Sequence, residues 1–88
     1  MTSIGEQLSR DDLLAVVFES VREIMPTVEP ARLRPELHLR DLGADSVDRV
    51  EIIVTVLDWL GLAEPLASFT DLSDIDAMVD LLYRRTRS

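Results

Sequence analysis

Asp41-Leu42-Gly43-Ala44-Asp45-Ser46-Val47-Asp48 is the stretch of this chain whose residue types and spacing could do chemistry. Gly43 turns the backbone, and Asp45 or Ser46 then caps a helix with acids in its first turn. A hydroxyl at a helix start after a flexible turn is exposed. The positive end of the helix favours a phosphate attached to it. Ser46 has no base beside it in the sequence, so it reads as a modification site rather than an enzyme nucleophile.

Other chemistry-bearing residues carry less. The chain has no cysteine and one histidine, His38. That excludes disulfides, thiolate catalysis and a histidine-based metal cluster or triad. His38 lies between Leu37 and Leu39 in a loop and reads as an anchoring or solvated side chain. Asp48 with Glu51, and Asp74 with Asp76, form acidic pairs, but solvated helix acids are the default for such spacing. Trp59 has two open readings, a half-buried end-of-helix aromatic or a contact residue.

Three amphipathic stretches must position these residues. Ser9 caps the first helix, with Asp11 and Asp12 in its first turn. Leu13, Val16, Val17, Val21 and Ile24 recur on one face before Pro26 ends it. Residues 26–44 contain Pro26, Pro30 and Pro35 yet keep Leu33, Leu37, Leu39 and Leu42. This long loop is therefore expected to be pinned to the core, with a short helical turn near Ala31–Leu33. The second helix runs from Asp45 or Ser46 to about Leu60, with Gly61 as its stop. At 100° per residue, Val47, Val50, Ile53, Val54 and Leu57 form its expected core face. Asp48, Glu51, Thr55 and Asp58, with Ile52, Val56 and Trp59, form its expected outer face. Residues 61–72 are a loop with a short helix before Leu72. Ser73 is read as the cap of a last helix on whose apolar face lie Ile75, Met78, Val79, Leu82 and Tyr83. No stretch alternates like a strand. The expected fold is all-α, a small bundle of three main helices and a short fourth with a long loop after the first helix.

Length and charge bound the function. The 88 residues make one domain, too small for a large enzyme with its own cofactor fold. All nine bases are arginine against 17 acids, for a net charge of −8. Nucleic acid and an anionic membrane surface are excluded as partners, because both need a positive surface. Residues 41–80 hold ten acids and one arginine, so a positively charged partner would be drawn there. The longest apolar run is Leu13 to Phe18, far short of the ~20 residues that span a membrane. The N-terminal residues lack the basic and apolar regions of a leader, and a cytoplasmic monomer is expected.

With these residues in view, the chain resembles the acyl carrier proteins. The likeness rests on Asp41-Leu42-Gly43-Ala44-Asp45-Ser46-Val47-Asp48 followed by Val50-Glu51-Ile52, and it extends from the first helix to Leu82. It implies a non-enzymatic carrier whose 4′-phosphopantetheine arm is attached to Ser46, with Asp45 part of the attachment motif. The arm's thiol would hold acyl groups as thioesters, so a cysteine-free protein can do thiol chemistry. It implies a single carrier domain over residues 1–88, ordered from about 8 to 83, with a solvated basic tail at 84–88. Fatty-acid or polyketide biosynthesis fits better than peptide assembly, because Asp45 stands where peptidyl carriers usually have a non-acidic residue. Val47 replaces a usual leucine, and Arg49 puts a cation in the first turn. Trp59 stands where a charge is common, and Leu66-Ala67-Ser68-Phe69 is nearly neutral. Asp45-Ser46-Val47-Asp48-Arg49 with Glu51-Ile52 is similar to the free-standing donor carriers of polyketide β-branching cassettes.

The implied partners are a phosphopantetheinyl transferase, then ketosynthase, acyltransferase or hydroxymethylglutaryl-CoA-synthase-like enzymes. They would dock on Val47, Asp48, Arg49, Glu51, Ile52 and Trp59, with Arg49 turning away sites built for ordinary fatty-acid carriers. Val47, Val50 and Val54 would border an acyl-sheltering crevice. The rival expectation is a small acidic helical interaction module in which Ser46 is only a helix cap.

Overall fold

The computed structural model describes residues 8–70 and 72–87. Among the described residues four helices follow one another: α1 (Arg10–Ile24), α2 (Ser46–Leu60), α3 (Ala67–Thr70) and α4 (Ile75–Thr86). Two 3₁₀ turns, Pro30–Arg32 and Leu39–Leu42, lie in the long α1–α2 loop. Among the described residues there is no strand, and no helix is long and apolar enough to cross a membrane.

Local chemistry sets the helix starts. Ser9 caps α1 by accepting the Asp12 amide at 3.2 Å, while Asp12 accepts the Ser9 amide at 3.0 Å. This reciprocal box satisfies two backbone donors that the first turn would otherwise leave unpaired. The cap of α4 is Asp74 rather than Ser73, and its carboxylate accepts the Ala77 amide at 2.7 Å. The long loop supplies the rest of that helix start. Ile75 N–H donates to the Leu37 carbonyl at 2.9 Å, and Asp76 N–H donates to the Pro35 carbonyl at 2.8 Å. A proline-broken loop is thereby fastened to a helix that begins almost forty residues later in the chain.

The core joins Leu13, Val17 and Val21 of α1 to Ile75, Met78, Val79 and Leu82 of α4 across a buried stripe of α2. Leu39 and Leu42 tie the loop into it, and Phe69 does the same for α3. Arg10 of α1 pairs with Asp76 at 3.0 Å and with Asp80, while Arg87 at the end of α4 reaches the Leu8 carbonyl at 2.7 Å. These contacts fasten the start of α1 along α4.

Two expectations need correction. The α2 core stripe is Ile52, Ile53, Val56, Leu57 and Leu60, not Val47, Val50 and Val54. Ile52 is 0% and Val56 1% exposed, whereas Val47 is 63% exposed. The helix carries two apolar strips that share Ile53 and Leu57, and it buries the one rich in isoleucine and leucine, which removes more apolar area from water. Over the described residues 84–87, the expected solvated tail instead has structural contacts, and Ser88 lies outside the described residues. α4 continues through Thr86, Arg85 pairs with Glu64 at 2.9 Å, and the Arg87 guanidinium lies 3.8 Å from the Tyr83 ring centroid.

Candidate functional site

The approach to Ser46 is built by small local devices. His38 opens the second 3₁₀ turn, its Nδ1 accepting the Arg40 amide at 2.9 Å while Asp41 accepts the His38 amide at 3.0 Å. Gly43 ends that turn at φ 95°, a left-handed conformation that side-chain-bearing residues rarely adopt. A Cβ there would meet only ordinary contact, 3.8 Å from Met25 Cε, so the backbone angle and not space calls for glycine.

Asp45 then caps α2. Its Oδ1 accepts the Asp48 amide at 2.8 Å, and Asp48 accepts the Asp45 amide at 3.4 Å. Ser46 is therefore the first residue inside the helix, not the cap. Its side chain is exposed, and its hydroxyl makes no hydrogen bond among the described residues. The fold leaves that oxygen uncommitted.

One turn on, Arg49 folds back. Its Nη1 donates to the Ala44 carbonyl at 3.0 Å, bracing the turn from which Ser46 projects. The guanidinium is half-buried and does not stand out into solvent as a freely presented surface cation.

Ser46 also borders a cavity of about 140 Å³ between α2, α3 and the start of α4. Val50, Ile53, Phe69, Leu72 and Met78 make its apolar walls, with Arg49, His38 and Asp74 as polar lining. Of the three valines expected at a crevice, only Val50 lines it. Phe69, Leu72 and Met78 were not singled out from the sequence as site residues. The signal present was the apolar character of residues 66–69, read only as missing charge.

The other expected contact residues separate. Val47, Glu51, Val54 and Asp58 share one exposed face of α2 with helical spacing. Ile52 belongs to the core and is unavailable to a partner. Trp59 is 61% exposed and lines a different, open groove with Glu19, Arg22, Glu23 and Pro26. It lies thirteen residues beyond Ser46, about 20 Å along the helix.

His38 does not turn Ser46 into a nucleophile. With Nδ1 accepting an amide, the neutral ring carries its proton on Nε2 and offers a donor there, not a base. No hydrogen bond joins it to Ser46 among the described residues. The acidic pairs gather no cluster of three or more metal-binding groups among the described residues.

The chain is thus a small helical bundle that presents an exposed hydroxyl at a helix start. Residues 15–82 match the phosphopantetheine attachment site family. The chain belongs to that family, as an acyl carrier protein, and is not an enzyme. It is 33% identical over 81 residues, 92% of this chain and 99% of the relative, to a polyketide biosynthesis acyl-carrier-protein, AcpK, of Bacillus subtilis (strain 168). No solved structure matches the chain. Membership brings the 4′-phosphopantetheine group with it, and with it interaction with a phosphopantetheinyl transferase and with biosynthetic enzymes.

Proposed function

We propose that Ser46 is the attachment point of the phosphopantetheine arm and that the protein carries acyl intermediates of polyketide biosynthesis. The observation that carries this reading is the uncommitted Ser46 hydroxyl. Asp45 performs the capping, so the helix has no structural need of a serine at its first position. This also removes the basis of the rival reading, in which Ser46 was only a cap. The residues fit the group: the hydroxyl is exposed, the first turn offers its positive end, and an apolar-walled cavity opens beside it. The polyketide setting is supported by the likeness to the Bacillus carrier.

When bound, the arm supplies a thiol that holds acyl groups as thioesters. The chain's own residues present it. Asp45 acts through the cap, fixing the angle at which Ser46 leaves the turn. Val50, Ile53, Phe69 and Met78 offer dry contact to a short acyl chain. At about 140 Å³ the cavity is sized for a short acyl group.

Val47, Glu51, Val54 and Asp58, with Asp48 at the first turn, form the docking face. The carboxylates steer basic enzymes of the ketosynthase, acyltransferase or hydroxymethylglutaryl-CoA-synthase-like classes, and the valines give short-range contact. Weak, steered contact suits a carrier that must release each partner. Trp59 serves only a partner broad enough to reach the far end of α2.

Incubation with coenzyme A and a broad-specificity phosphopantetheinyl transferase tests the assignment. Intact mass should rise by one phosphopantetheine, and Ser46→Ala should abolish the gain. Modification of the alanine variant would overturn it.

A further inference from the structure

Arg49 is the one cation on α2 and the one arginine in residues 41–80, where it faces ten acids. Its place there is not explained by a rejecting role towards foreign partners, because the guanidinium turns back onto the Ala44 carbonyl at 3.0 Å. What it does share is a cavity wall with Ser46. The two residues are three apart on one helix, a spacing that puts Cβ atoms about 5–6 Å from each other.

We propose that Arg49 is the counter-ion of the phosphodiester formed on Ser46. The proposal rests on the attachment reading above and adds to it a partner for the arm's charge. In the unmodified chain, one guanidinium nitrogen braces the Ala44 carbonyl. A guanidinium carries five N–H donors in a planar fork, so bracing one carbonyl leaves donors for a phosphate oxygen. Loading brings a permanent negative charge to a place already flanked by Asp45 and Asp48. Without a cation, the phosphate would add to repulsion that the first turn of α2 must absorb. With Arg49 it gains a charge-assisted hydrogen bond from a residue that is itself half-buried beside the exposed Ser46. Arg49 then ties the arm's root to the same turn that presents Ser46. The length of chain it stiffens is the Gly43–Asp45 turn, not the far end of the arm.

The test compares unloaded and loaded protein for wild type, Arg49→Gln and Arg49→Lys, with intact mass proving loading in each case. Substitution costs the Ala44 brace in both forms, so the loaded-minus-unloaded difference in melting midpoint isolates the contact to phosphate. That difference should be more favourable in wild type than in Arg49→Gln by about 2–6 °C at low salt. The advantage should shrink as salt is raised. Arg49→Lys should recover part of it, since the charge remains while the planar fork is lost. The phosphorus-31 resonance of the loaded protein should move on Arg49→Gln and less on Arg49→Lys. Equal midpoint differences in wild type and Arg49→Gln, with an unmoved phosphorus resonance, would overturn the proposal while leaving Ser46 as the attachment point. No mass gain in wild type, or an undiminished gain in Ser46→Ala, would instead overturn the attachment reading and this proposal with it.

Discussion

Two adjacent side chains divide two tasks at the head of α2. Asp45 holds the helix start and Ser46 keeps its hydroxyl open. Ser46→Ala should therefore lose the coenzyme A-dependent mass gain while changing stability by no more than about 0.5 kcal/mol in a thermal or urea melt, since no cap or buried bond is removed. Asp45→Ala should behave oppositely in the melt, costing about 0.5–2 kcal/mol through loss of the reciprocal box with Asp48. A destabilised Ser46→Ala beside an unchanged Asp45→Ala would reverse this division. The importance of Ser46 was legible in the sequence because an Asp-Ser pair after Leu-Gly-Ala is a distinctive string. Which of the two caps the helix was not, because both are good caps. The choice falls to Asp45 because Asp48 stands three residues on and closes the box. Arg49 was legible as an unusual cation but not as an inward one; the Ala44 carbonyl it seeks is offered only after the Gly43 turn has formed.

At the level of elements, the helices themselves were readable from spacing, caps and prolines, while the face that α2 buries was not. Periodicity locates apolar strips, but when two strips overlap it does not rank them. The facing shapes of α1 and α4 do. Ile52→Ala should consequently cost about 2–5 kcal/mol in a chemical melt, as a large-to-small change in the core. Any loss of partner binding by that variant is then a folding defect. Val54→Asp changes an exposed position and should stay within about 0.5 kcal/mol of wild type. It should nonetheless slow acyl transfer to a cognate enzyme, read as a faster dissociation rate with little change in salt slope. Normal transfer kinetics for Val54→Asp would remove the valine strip from the docking face. The arginines of the last turns illustrate the same limit. Local pattern reads Arg84, Arg85 and Arg87 as a solvated end, yet Glu64 and the Leu8 carbonyl, both distant in sequence, complete the turn.

For the whole molecule, charge decides the response to solvent. Seventeen acids face nine arginines, and the ion pairs of Arg10 with Asp76 and Asp80, Arg34 with Glu36 and Arg85 with Glu64 lie at exposed or half-exposed positions worth little each. Repulsion among the unmatched acids of residues 41–80 outweighs them, so the melting midpoint should rise across a sodium chloride series as that repulsion is screened. A flat or falling midpoint would show the ion pairs to be the larger contribution. Overall acidity and its concentration in the second half were fully legible, being sums over residue types; the fastening of the start of α1 to α4 was not, because it rests on contacts between residues far apart in the sequence. That fastening has a practical consequence. Arg87 reaches the Leu8 carbonyl from the C-terminal end of α4, while Arg10, two residues after Leu8, engages Asp76 in the first turn of the same helix. Cutting the chain after Thr86 would remove Arg87 and release the Leu8 carbonyl to solvent, so a protease should open the start of α1 more readily while the turn before Ser46 stays intact.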